Sequence, residues 1–282
     1  MSPKWVHFQQ VGKGDPVILL HGVAASRHDW KKLAPYLANA GYRVYAADLL
    51  GHGESYKPDE PDLYTVEAMN SLLEQWIDSL ELERPPFLVG HSLGGYFVLD
   101  YALLHPERVR GLALIDPFYS PEQIRPLMAR LYQYPGLVGN FLRLAPLWAL
   151  QMIVRLDVSE TGKFPVQVRH QIALDIKRAS PHIMRIVATA KSLTPQLNQL
   201  ATPAVVIWGE KDQTLNPASY PPLVSSLPDA SGFVVPASGH QPHLSQPKLV
   251  NQLVLDFFHS IEARQNGNQP STPAVDAAFP AG

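Results

Sequence analysis

The chain has 282 residues, a net charge of −2, 46% hydrophobic and 17% charged residues, and no cysteine. This is ordinary globular composition; the near-neutral charge gives no general attraction to nucleic acid, and the absence of thiols excludes disulfides, zinc–thiolate sites and cysteine catalysis. No apolar run reaches the roughly 20 residues of a membrane span, and the opening MSPKWVHFQQVGKGD has no apolar signal segment, so a soluble, cytoplasmic protein is expected.

Along the chain, short aliphatic runs alternate with longer stretches of helical period. WVHFQQVGKGDP (5–16) reads as part of a hairpin at a sheet edge, turned by Gly12 and Gly14. PVILLHG (16–22) and YRVYAAD (42–48) read as strands, with SRHDWKKLAPYLANAG between them as a helix. That helix opens on a capping-box pattern, Ser26 and Asp29, and stops at Gly41. TVEAMNSLLEQWIDSL is the next helix, PFLVG (86–90) the next strand, then LGGYFVLDYALLHP as a helix and VRGLALID (109–116) as a strand. Strands AVVIWG (204–209) and GFVVP (232–236) follow, and QPKLVNQLVLDFFHS closes the pattern as a helix. Strands apolar almost throughout belong in a parallel sheet covered on both faces. The class is therefore α/β, with a doubly wound sheet.

Between about Pro117 and Pro195 the alternation stops. GLVGNFLRLA, PLWALQMIVRL, PVQVRHQIALDIKRAS and PHIMRIVATAKSL are helical in pattern, with Pro146 and Pro181 in first-turn positions and Ser180 as an N-cap. This divides the chain into a core at 1–116 and 196–262, a helical block at 117–195, and a tail at 263–282. The tail has no periodicity and predicts disorder.

The candidate chemistry centres on VGHSLGGYFVLDY (89–101). Ser92 falls between a strand and a helix, and Gly90 and Gly94 flank it because side chains there would collide across so tight a turn. G-x-S-x-G alone also describes an ordinary glycine-rich turn with a capping serine. A serine nucleophile needs a base. His240, after the last strand in VVPASGHQPHLSQP, is preferred to His243, which suits a structural first-turn position. Asp212, in GEKDQ after the strand at 204–209, is the preferred acid because Ser…Asp…His then runs in the order of this hydrolase arrangement; Asp116 is the rival. Backbone N–H groups of Val23 and Leu93 are placed to form an oxyanion hole. His21 and His91 read as loop packing, Glu210 and Lys211 as solvated charges, and Asp48 and Glu54 as structural.

With these residues in view, the sequence resembles the α/β-hydrolase fold family. The matching pieces are His21-Gly22, DLLGHGES (48–55), GHSLGG (90–95), WGEKDQTLNP (208–217) and GHQPH (239–243), in the family's order over about residues 5–260. The resemblance implies an eight-stranded, mostly parallel sheet, a helical cap after the sixth strand, and a Ser-His-acid triad beneath it. Relatives with an aspartate nucleophile split carbon–halogen bonds or epoxides, and Ser92 argues against both. No catalytic role follows for His52 or Ser55, and no metal or organic cofactor is implied.

The leading expectation is a carboxylic-ester hydrolase acting on a small apolar substrate. A carbon–carbon hydrolase of a keto acid comes second, weakened because such relatives often have Asn where His91 stands. A non-catalytic ligand receptor comes third. Residues 118–195 carry a net charge of +6 and the remainder −8. That basic cap suits anionic substrates or peripheral contact with anionic lipid, or is simply a set of solvated helix faces. Leu137, Phe141, Leu144, Leu147, Trp148, Met152 and Ile153 read either as an acyl pocket or as core packing.

Overall fold

The computed structural model describes residues 5–126, 129–130, 133–156 and 164–267. Its seven strands are β1 (His7–Val11), β2 (Asp15–Leu20), β3 (Tyr42–Asp48), β4 (Phe87–His91), β5 (Gly111–Ile115), β6 (Ala204–Gly209) and β7 (Ala230–Val235), in the spatial order β1-β3-β2-β4-β5-β6-β7. Every pairing is parallel except that of β1 with β3. The sheet among the described residues thus has one strand fewer than the eight the resemblance implies.

The expected front hairpin is also different. β1 lies at the sheet edge, but it pairs with β3, which slots between β1 and β2. The connection at 12–14 therefore has to pass the start of β3. It does so with positive φ at Gly12 and Gly14, where an added Cβ would stand 2.2 Å from the Tyr42 carbonyl oxygen and 2.0 Å from that of Gly41. Glycine is required there by close approach rather than by a hairpin turn.

Along each central strand, side chains alternate between two cores. Ile18, Leu20, Leu88, Leu112, Leu114 and Val206 enter one cluster, covered by helices α2 (Val66–Ser79) and α3 (Leu93–Leu104). Val17, Leu19, Phe87, Val89, Ala113, Ile115, Val205 and Ile207 enter the other, under α1 (Leu33–Asn39) and the C-terminal helix. Each large side chain fully buried this way stabilises by about 1.5–3 kcal/mol before entropy is counted. Ser26 caps only a single 3-10 turn, accepting from the His28 N–H at 3.2 Å, and Asp29 is turned inward rather than closing a capping box.

The chain leaves the sheet after β5 and returns at β6. In between lie α4 (Pro135–Leu144), α5 (Leu147–Leu156), α6 (Val166–Arg178) and α7 (Met184–Thr189). Pro146 directly precedes α5, and Ser180 Oγ accepts from the His182 N–H at 3.2 Å before α7. This insertion rests on loops at the carboxyl ends of the strands. The Ser180 N–H donates to Gly51 O at 2.7 Å, Gln171 Nε2 approaches His28 Nδ1 at 3.3 Å, and Arg125 Nη2 donates to Asp212 O at 3.3 Å. After β6 come α8 (Tyr220–Ser226), β7, α9 (Pro242–Ser245) and α10 (Pro247–Gln265). Helix α10 runs three residues past the expected boundary at 262; from 268 on, the tail lies outside the described residues.

Candidate active site

Ser92 links β4 to α3 with φ 51° and ψ −117°, a left-handed conformation that costs a non-glycine residue on the order of 1–3 kcal/mol. Surrounding contacts hold it there: its N–H donates to Ile115 O at 3.1 Å, and its carbonyl accepts from the Phe118 N–H at 3.0 Å. Both flanking glycines are demanded by packing. A Cβ on Gly90 would meet Gly94 O at 2.4 Å, and one on Gly94 would meet Leu20 O at 2.1 Å. The hydroxyl therefore stands at the amino end of α3, where the aligned backbone dipoles favour negative charge.

Asp212 and His240 come together from separate loops. Asp212 Oδ2 lies 2.8 Å from His240 Nδ1, and its Oδ1 accepts from the N–H groups of Thr214 and Leu215 at 2.7 and 3.0 Å. All three bonds fix the direction in which the carboxyl group points. The two loops can run so close because β6 ends on Gly209, where a Cβ would stand 1.9 Å from Gly239 O. Asp116, the rival acid, is fully buried; its Oδ1 accepts from the Gly209 N–H at 2.8 Å, across the β5–β6 pair. The loop bearing Val23 also reaches the serine: a Cβ on Gly22 would stand 3.1 Å from Ser92 Cβ.

His91 is the residue sequence reasoning undervalued. Its Nε2–H donates to the His240 backbone carbonyl at 2.7 Å, and the two rings lie 4.9 Å apart. Burial, with His243 and His240 beside it, pushes its pKa well below the ordinary 6.5, so the ring is neutral. Neutrality leaves Nδ1 as an unprotonated acceptor. His243, 4.5 Å from His91 and 5.0 Å from Trp30 ring to ring, is buried in α9 as a packing residue. Its Nε2 stands 4.0 Å from Asp29 Oδ2. The signal for His91 was its place as the last residue of a fully buried strand, where a polar ring needs a partner.

Among the described residues, two trios each bring their ligand atoms within 4.8 Å of one another, as a metal ion would require: Asp29, His91 and His243, and Asp116, Asp212 and His240. In the second, Asp212 and His240 are already bonded to each other and Asp116 to a backbone N–H. The first offers two imidazoles and one carboxylate, a donor set that equally suits a buried water.

The remaining histidines of this edge are held locally. His21 accepts from the Leu49 N–H at Nε2 and lies 2.8 Å from Gly22 O at Nδ1. His52 is fully buried, and burial with His21 beside it pushes its pKa down to about 3. Asp48 receives the N–H groups of Arg27 and Glu54 at 2.7 and 2.9 Å and pairs with the Arg27 guanidinium, a structural clamp as expected.

The family model described as alpha/beta hydrolase fold matches residues 15–247. Bifunctional epoxide hydrolase 2 of Mus musculus is 25% identical over 90% of this chain, which spans only about half (53%) of that relative's length. The 2-hydroxy-6-oxo-6-phenylhexa-2,4-dienoate hydrolase of Burkholderia cepacia is 25% identical over 90% of this chain and 91% of its own. Among solved structures, a thermophilic esterase from Thermogutta terrifontis superposes with a TM-score of 0.78 at 26% identity, over 91% of this chain and 93% of that one.

Proposed function

The chain belongs to the alpha/beta hydrolase fold family, and from that premise we propose that it is a serine hydrolase cleaving a carboxylic ester of an apolar acyl or aromatic substrate. The observation that carries this reading is the pair of His240 Nδ1 and Asp212 Oδ2 at 2.8 Å, on the same sheet edge as the strained Ser92. The Nδ1–H bond to Asp212 leaves Nε2 as the basic atom. Nε2 takes the Ser92 proton as Oγ attacks the ester carbonyl, and the N–H groups of Val23 and Leu93 receive the oxyanion. His240 returns the proton to the leaving alcohol, and water then attacks the acyl-serine by the same route in reverse. Asp116 serves as a clip between strands, and the insertion at 117–195 acts as the cap that selects the substrate.

The test is hydrolysis of p-nitrophenyl esters of increasing acyl length by the parent protein and Ser92→Ala. Serine-dependent turnover is expected, with kcat falling about 10⁶-fold in the variant; residual activity within tenfold of the parent would sink the assignment. A second reading, carbon–carbon cleavage of a keto acid, is favoured by the likeness to the Burkholderia cepacia hydrolase along nine-tenths of both chains. Turnover of a dienoate keto acid with none of any ester would select it. Folded protein inert to both classes would move the weight to ligand binding without catalysis.

A further inference from the structure

Helices α4 and α5 are apolar on both sides. Their inner side chains, Val138 and Leu142 on α4 and Leu147, Leu150 and Val154 on α5, pack against the body and against α6. Their outer side chains do not pack. Leu137, Phe141 and Leu144 follow helical spacing along α4 at 71, 60 and 74% exposure, and Trp148, Met152 and Ile153 are exposed on α5. The expectation that these residues are core packing is corrected on that ground, Leu147 alone being half-buried. A helix apolar all round belongs in a protein core or in lipid; the described residues supply no such cover.

The charge pattern selects the partner. From Gln123 through Leu156 the sequence has four arginines and no aspartate or glutamate. A two-fold contact between copies would lay this patch on itself, bringing Arg143 no aspartate or glutamate from 123–156 to meet. A groove of about 360 Å³ is lined by Trp148, Gln151, Met152, Val166, Arg169 and His170. Aromatic and aliphatic side chains beside arginine are what an amphipathic element uses to lie in a lipid headgroup layer. The two helices meet at a bend of 114°, and no single helix among the described residues is long and apolar enough to cross a membrane.

We propose that the outer face of α4 and α5 docks on an anionic lipid bilayer, with Phe141, Leu144 and Trp148 entering the headgroup–acyl boundary and Arg143 pairing with phosphate. This does not rest on the chemistry assigned to Ser92, and Ser92→Ala should dock as the parent does. A lipid-facing surface on the insertion places the proposed substrate selector against the phase in which apolar esters dissolve.

The experiment is flotation of the full chain with vesicles of phosphatidylcholine alone or mixed with phosphatidylglycerol, read together with tryptophan emission. Trp148 is 69% exposed, whereas Trp30, Trp76 and Trp208 are buried. The expected result is flotation with the anionic vesicles, a blue shift that disappears in Trp148→Phe while flotation persists, and about fivefold weaker partition in Arg143→Gln. Leu144→Asp and Phe141→Asp, checked for native circular dichroism, should abolish flotation. No flotation of the parent overturns the proposal, as does flotation indifferent to Leu144→Asp. A concentration-dependent dimer dispersed by Leu144→Asp, without vesicle binding, would assign the face to a second copy instead.

Discussion

In β5, five consecutive residues from Gly111 to Ile115 are buried; on α4, which begins 20 residues further along the chain at Pro135, and on α5, Phe141 and Trp148 stand in solvent. The sheet body places its large apolar residues in two extensive cores, one on each face. The insertion's own buried cluster is Ala145, Leu150 and Ala173, and it leans on the body through loop hydrogen bonds and through Ile183, Met184, Ile186 and Val187, which join the body's core. Precision is therefore concentrated in the body, where glycines with no room for a Cβ fix Ser92 and His240. The outer part of the insertion, α4 to α6, is a thinner structure with only a small core of its own.

The largest expected effect that sharpens this contrast is Asp212→Asn. It should lower kcat about 10⁴-fold by favouring the wrong His240 tautomer. Asp116→Asn keeps an acceptor for the Gly209 N–H and should leave most activity; if it does the greater damage, Asp116 is the acid. Next, Phe258→Ala, which removes a ring stacked 4.0 Å from Phe87, should cost about 3–5 kcal/mol in denaturant unfolding. Leu150→Ala should instead show as faster amide exchange within 135–178 while the main unfolding transition stays in place. One shared transition, shifted by both variants alike, would break the distinction between body and insertion.

Acid should act on the body. The pKa of His52 lies at about 3 and that of His91 well below the ordinary value, each chiefly through burial. The unfolded chain consequently binds more protons between about pH 3 and 6.5, and stability falls as pH drops through that window. At pH 5 His52 alone should cost roughly 2 kcal/mol relative to pH 7. Equal unfolding midpoints in denaturant at pH 7 and pH 5 would show that these rings are accessible to protons in the folded state.

What the sequence disclosed follows the same division. Strands such as PVILLHG were legible because a sheet covered on both faces leaves them apolar throughout, and Ser92 because a strand-to-helix corner this tight tolerates only glycine around it. The edge position of β1 was readable, but its partner was not: pairing with β3 rather than β2 depends on a contact between residues 7 and 48 that no local pattern encodes. His91 went unread for the same reason, since its acceptor, the His240 carbonyl, lies 149 residues away. On α4 and α5 the apolar period was correctly seen, yet period alone gives no sign of which of two apolar faces turns outward.

The hydrogen bond from the Gly209 N–H to Asp116 also bears on the order in which the molecule assembles. It joins residues 93 apart in sequence, and β5 and β6 lie side by side with Leu112 opposite Ala204. Everything between them is a closed loop hung from two adjacent strands. Closing a loop costs free energy that grows only as the logarithm of its length, so the sheet is almost indifferent to how many residues the loop contains. The insertion's outer helices could be lengthened, shortened or exchanged while β5 still finds β6, with folding slowed modestly, provided that Ile183, Met184, Ile186 and Val187 keep their places in the body's core.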